Sequence, residues 1–192
     1  TTTAPYDICF KILQKMNSQP AVLTMPSWYN NDAYLNVLSH SIEQKITGND
    51  PEFIVTAFHG LTQKYLENGD PYHCFCVTTA RLVREKLSWP EDRWITCFQS
   101  RFGPAQWLQP YADKTVEHLA KNGVKKIALI SPAFICECIE TLEEICMEMQ
   151  EDFLEAGGEE FTYIPCLNDS DNNINFLQSL MLSKISFCCC SN

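Results

Sequence analysis

Within the stretch Glu137-Cys138-Ile139-Glu140-Thr141-Leu142-Glu143-Glu144-Ile145-Cys146-Met147-Glu148, carboxylates recur at a fixed interval. Glu140, Glu144 and Glu148 stand at i, i+4 and i+8. On an α-helix that spacing puts them on one face, about 6 Å apart along the axis. A stack of carboxylate oxygens leading inward suits the holding or passing of a hard or borderline cation. The same row also reads as a solvated acidic face near a helix N-terminus, where the macrodipole favours negative charge. His59 closes an apolar run. A neutral imidazole there can ligate a metal or accept a proton near neutral pH; it also reads as an ordinary strand-end histidine. His40, His73 and His118 fall in helical segments and read as structural. Trp107, Phe134, Tyr29 and Tyr72 suit the wall of a flat aromatic ligand as well as they suit a core.

Something must hold these groups. Five short apolar runs, at residues 21–25, 53–58, 94–98, 127–130 and 161–164, are rich in β-branched and aromatic side chains. Near-continuous hydrophobicity is the mark of strands covered on both faces. Between them, residues 33–46, 72–87, 112–122, 138–156 and 173–185 read as amphipathic helices. Gly48, Gly123 and the Gly157-Gly158 pair follow three of them as stop signals. Strand–helix alternation predicts an α/β fold: a single domain over residues 1–192, doubly wound around a mostly parallel open sheet. In such sheets ligands bind beyond the carboxyl ends of the strands. His59-Gly60-Leu61, Gln99-Ser100-Arg101-Phe102-Gly103-Pro104 and Ser131-Pro132-Ala133-Phe134 all follow predicted strands and so share that edge. No GxGxxG and no GxxxxGK[ST] occurs, which disfavours a phosphate cradle.

Composition narrows the function classes. The chain has 192 residues, 45% of them hydrophobic, enough for a buried core. Fourteen basic against 24 acidic residues give a net charge of −10, which argues against a cationic nucleic-acid face or a basic lipid-docking patch. No apolar run approaches the roughly 20 residues of a membrane span. Eleven cysteines, with no basic segment opening the chain, read as reduced thiols of a cytoplasmic protein; peripheral contact with a membrane stays open. Cys74/Cys76 and Cys136/Cys138 lack CxxC spacing, and Cys188-Cys189-Cys190 are adjacent. Adjacent thiols do not match the spaced ligands of zinc or iron–sulfur centres, so no [2Fe–2S] cluster is expected. An exposed, oxidation-prone tail is the alternative.

Ordered strings then carry a resemblance. Ala57-Phe58-His59-Gly60-Leu61, Gly69-Asp70-Pro71-Tyr72, Phe98-Gln99-Ser100-Arg101-Phe102-Gly103-Pro104, Trp107-Leu108-Gln109-Pro110-Tyr111, Pro132-Ala133-Phe134 and Ile139-Glu140-Thr141-Leu142-Glu143-Glu144-Ile145 resemble the ferrochelatases, in their proteobacterial form. Ala156-Gly157-Gly158-Glu159 and Tyr163-Ile164-Pro165-Cys166-Leu167-Asn168 continue the match. The resemblance implies a lyase that inserts Fe²⁺ into protoporphyrin IX, the terminal step of haem biosynthesis. It implies His59 and Glu140 as catalytic and metal-facing groups, with Glu144 and Glu148 continuing the metal lane. Trp107, Phe134, Tyr72, Ser100 and Arg101 fall in strings that imply the porphyrin cleft. Fe²⁺ and porphyrin are then substrates, with no permanent cofactor. The match covers the family's C-terminal half, so an N-terminal half or a second copy is the implied partner, and activity of this half alone is an open expectation. The alternatives are a noncatalytic tetrapyrrole- or metal-binding module and a shorter cobalt chelatase; the Glu140-to-Ile145 and Gln99-to-Gly103 strings point away from the latter.

Overall fold

Four of the five apolar runs pair into one sheet. The computed structural model describes residues 3–189, with side chains described for 4–185. The strands are β1 (Phe53–His59), β2 (Trp94–Gln99), β3 (Lys126–Ile130) and β4 (Glu160–Ile164), in the order β2-β1-β3-β4. All pairs are parallel: Phe58 lies opposite Phe98, Val55 opposite Leu129, and Ile127 opposite Phe161. The sheet is therefore parallel throughout, with helices on both faces, as the strand–helix alternation predicts.

The helices are α1 (Thr3–Leu13), α2 (Asp32–Ile46), α3 (Gln63–Glu67), α4 (Tyr72–Lys86), α5 (Ala112–Lys121), α6 (Met149–Glu155) and α7 (Asp171–Cys189). Alternate side chains of a strand leave on opposite faces, and the core divides accordingly. Val55, Ala57, Ile127 and Leu129 pack with Ala112 and Val116 of α5 and with Met149 and Phe153 of α6. Ile54, Ala128 and Ile130 pack with Leu35, Leu38 and Ile42 of α2, Val83 of α4 and Phe176 of α7. Local chemistry sets the helix ends: Asn31 Oδ1 accepts the Tyr34 amide at 3.2 Å as the α2 cap, and Gly123 closes α5 at φ 90°.

Two expectations need correction. Residues 21–25 form no strand: residues 21–24 are exposed, and the Met25 amide bonds the Tyr6 hydroxyl at 3.1 Å instead of a ladder. An apolar run earns strand pairing only where both faces can be covered, and here the layer beside it is solvent. The single helix expected over 138–156 is two elements, a π-helix (Glu140–Glu148) followed by α6. The helices α1 (11 residues) and α3 (five residues) are not among the helical segments read from the sequence. The side chains of Cys188 and Cys189, and all of Cys190, lie outside the described residues.

Candidate active site

Strand order fixes where a ligand can sit. With β1 central, the chain moves outward to β2 and then returns past β1 to β3. The topological switch falls between β1 and β3, where the loops leaving the two strands diverge and open a crevice. His59, the last residue of β1, stands at one side of it. The loop of residues 131–139 and the π-helix, which leave β3, stand at the other.

His59 is half-buried, and its orientation is determined by its neighbours. Nδ1 lies 2.8 Å from the Gly60 carbonyl oxygen; Nδ1–H donates there, which leaves the Nε2 lone pair free as acceptor. The Tyr72 hydroxyl donates to the His59 carbonyl oxygen at 2.9 Å. Gly60 N–H donates to Gln99 O at 2.7 Å, tying the exits of β1 and β2 together. The Phe134 ring approaches the imidazole, with centroids 6.5 Å apart.

Glu140 opens the π-helix. Its carboxyl is held below the ordinary value of 4.5, first by the Cys138 thiol, then by a backbone N–H, against the cost of burial, with the smallest contribution from His59. His59 and Glu140 thus follow the two strands that flank the switch point. Glu144 accepts a hydrogen bond from Ser100 Oγ, which joins the π-helix to the β2 exit.

A cleft of about 500 Å³ has Ser100, Arg101, Trp107, Glu143, Glu144 and Glu148 in its wall, whereas His59 and Glu140 are not part of its lining. The acids facing it differ from the expected row. In a π-helix the ladder runs i→i+5, and the Met149 N–H bonds the Glu144 carbonyl accordingly. Residues five apart then stack, so Glu143 and Glu148 share the cleft wall with Glu144, while Glu140, at the first turn, is not part of that wall. The straight α-helical row of Glu140, Glu144 and Glu148 is thus replaced by two groups.

The remaining residues divide between two hollows. Trp107 Nε1 donates to Phe102 O at 3.0 Å. Arg101 donates to Asp113 at 2.8 Å and lies over Tyr111, 4.2 Å from its ring centroid. Tyr72 does not face this cleft. It lines a second cavity of about 450 Å³ on the α2–α4 side, with Tyr29, Tyr34, Phe58 and Phe75, and reaches His59 only through the carbonyl. Phe134 lines neither hollow. Among the described residues no three or more His, Cys, Asp and Glu side chains converge on a point that holds a metal ion. Glu143, Asp113 and Asp152 of the cleft escape sequence reasoning, because only the π-helical stagger and the packing of α5 against α6 bring them there.

A parallel α/β unit that presents an imidazole and a carboxylate-bearing helix across its switch point has the chelatase-like form of the Rossmann-type folds. The Ferrochelatase family model matches residues 1–185. The chain is 50% identical over 187 residues to the ferrochelatase of Allorhizobium ampelinum, covering 96% of this chain and 54% of that protein. It is 49% identical to that of Rhizobium meliloti, covering 96% and 55%, and 48% identical to that of a Chelativorans species, covering 97% and 53%. The chain belongs to the ferrochelatase family. It spans about half the length of the curated relatives it matches, and the half it matches is the C-terminal one.

Proposed function

We propose that this chain carries the metal-inserting groups of a protoporphyrin ferrochelatase, a lyase of haem biosynthesis, with His59 and Glu140 as the catalytic pair. The observation that carries the reading is the placement of His59 at the β1 exit and of Glu140 at the start of the π-helix that follows β3, on the two sides of the switch point. Metallation exchanges two pyrrole N–H protons for one Fe²⁺, so the site needs proton acceptors beside a cation route. His59 Nε2, left free by the Nδ1–H bond to Gly60, accepts one proton; the Glu140 carboxylate, held ionised at neutral pH, accepts or relays the other. Glu144 and Glu148 face the cleft, where carboxylates lower the electrostatic cost of bringing in a hydrated cation. Trp107 offers a flat face from the cleft wall and Phe134 one beside His59, Ser100 fixes Glu144, and Arg101 of the cleft wall is a cation paired with Asp113. Tyr72 supports the His59 backbone rather than the ring of the substrate.

The opposite wall belongs to polypeptide equivalent to the other half of the relatives, or to a second copy. Phe102 of the cleft wall, with Ile139, Leu142 and Met147 on or beside the π-helix, is exposed, as befits a ligand groove or partner face. No described helix is long and apolar enough to cross a membrane. We place the protein in the cytoplasm, where free thiols such as Cys74 and Cys136 stay reduced, with any membrane contact peripheral. Fe²⁺ is substrate here, and no resident cofactor is part of the reading.

The test is anaerobic mixing of this chain with a relative's N-terminal half, Fe²⁺ and protoporphyrin IX. The Soret band should shift to that of haem, and His59→Ala or Glu140→Gln should slow the shift by about 100-fold or more. Wild-type rates in both variants would overturn the assignment. The half-length match favours one second reading, a noncatalytic tetrapyrrole-binding module. Porphyrin bound tightly but never metallated would decide for it.

A further inference from the structure

One carboxylate near the site has its oxygens fully engaged inside the protein. Glu137 Oε1 accepts the Cys166 N–H at 2.8 Å. Oε2 accepts the Tyr163 hydroxyl at 2.8 Å and the Thr141 hydroxyl. The Glu137 N–H donates to Asn168 Oδ1 at 2.8 Å, and the Asn168 N–H donates to Ile135 O at 2.9 Å. Thr141, wholly buried, receives the Cys138 N–H on Oγ1 at 2.9 Å. These bonds tie the end of β4 and the loop beyond it to both sides of Glu140.

We propose that Glu137 is a positioning residue, a clamp from the β4 exit to the first turn of the π-helix that fixes where the Glu140 carboxylate stands relative to His59. The proposal rests on the reading of His59 and Glu140 given above. Residues 131–138 have no ladder or helix to hold them, so without the clamp the entry to the π-helix is an ordinary loop with a loop's freedom. With it, Cys138 and Thr141 are pinned on either side of Glu140, leaving that backbone little latitude. Three donors on one carboxylate are charge-assisted and strong, and they occupy both Glu137 oxygens within the protein. Its chemistry is therefore that of an internal anchor, distinct from the acids that face the cleft. The electrostatics agree: burial works to raise its carboxyl, yet the bonds from Thr141, Tyr163 and Cys166 hold it below the ordinary 4.5.

Glu137→Gln keeps the size and brings an amide N–H₂ against three donors, so at least one bond must break. In the full chain, hydrogen exchange at residues 139–148 should accelerate about tenfold while β1 and β3 keep their protection. Co²⁺, used as a spectroscopic probe in place of Fe²⁺, should bind wild type in a His59-dependent manner. Glu137→Gln should weaken it about tenfold and alter its visible spectrum, because groups that orient a ligand govern affinity at one remove. Glu137→Asp, which keeps the charge, should recover part of both effects. Tyr163→Phe, which removes one donor, should act in the same direction, and it serves if Glu137→Gln unfolds the sheet. Unchanged exchange at 139–148 would overturn the clamp. So would faster exchange with wild-type Co²⁺ affinity and spectrum, since the residue would then be structural only. A wild type that ignores Co²⁺, or binds it regardless of His59→Ala, counts against the proposed function and leaves the exchange result to judge the clamp.

Discussion

At Gly60 the absence of a side chain is a packing requirement. A Cβ there would lie 2.8 Å from Gln99 O, 3.1 Å from Ser100 O and 3.2 Å from the Trp107 ring. Backbone oxygens cannot yield as a flexible side chain does, so Gly60→Ala must part the exits of β1 and β2 and strain the Gly60-to-Gln99 bond. The expected cost is about 1–3 kcal/mol, read as a lower midpoint in urea unfolding, together with a displaced Trp107 seen in its fluorescence. An unchanged midpoint would mean the two exits are looser than described. His59 depends on the same junction, because its Nδ1 bond ends on the Gly60 carbonyl. The identity of this residue is thus explained by two neighbouring backbones that approach only in the folded sheet.

Among the elements, the π-helix matters most. It changes which acids share a face: Glu143 and Glu148 stand five apart and line the cleft, while Glu140 is left at the first turn near His59. Thr141 and Ile145 point inward and are fully buried, so the core side is as well packed as that of an α-helix. The segment of residues 21–25 shows the converse case, an element read from hydrophobicity that does not form. Leu23 is 57% exposed, so Leu23→Asp should change stability by about 0.5 kcal/mol or less in a denaturant titration. A covered strand would lose several times as much from a buried charge, so a large loss would restore the strand that the structure denies.

At the scale of the whole molecule, burial orders the thiols. Cys97 lies within the sheet, wholly buried, and Cys76 of α4 is nearly so, whereas Cys9, Cys74 and Cys136 are exposed. Burial pushes the Cys76 thiol up to about 12 and raises Cys97 further, which withdraws the reactive thiolate at ordinary pH. Brief alkylation at pH 8, mapped by mass spectrometry, should label Cys9, Cys74 and Cys136 and spare Cys76 and Cys97 until the chain is unfolded. Early labelling of Cys97 would contradict the β2 position next to α5. The same architecture places His59 and the π-helix beyond two adjacent strands, β1 and β3, and it leaves Phe102, Ile139 and Met147 exposed.

The sequence by itself determined the α/β alternation, four paired strands among the five apolar runs, and the motif residues His59 and Glu140, because each is written in local pattern: apolar runs, stop glycines, ordered strings. It did not determine the strand order, the π-helical stagger or the partners of Glu137. Hydrophobic periodicity records that a face is covered without recording what covers it. An i, i+4 spacing is compatible with both an α- and a π-helical ladder. The hydrogen bonds from Tyr163 and Cys166 to Glu137 cross more than twenty residues of chain. Only the packed sheet decided that Tyr72 belongs to the second cavity and that Glu143 belongs to the first, since both placements depend on side-chain directions that non-local contacts impose.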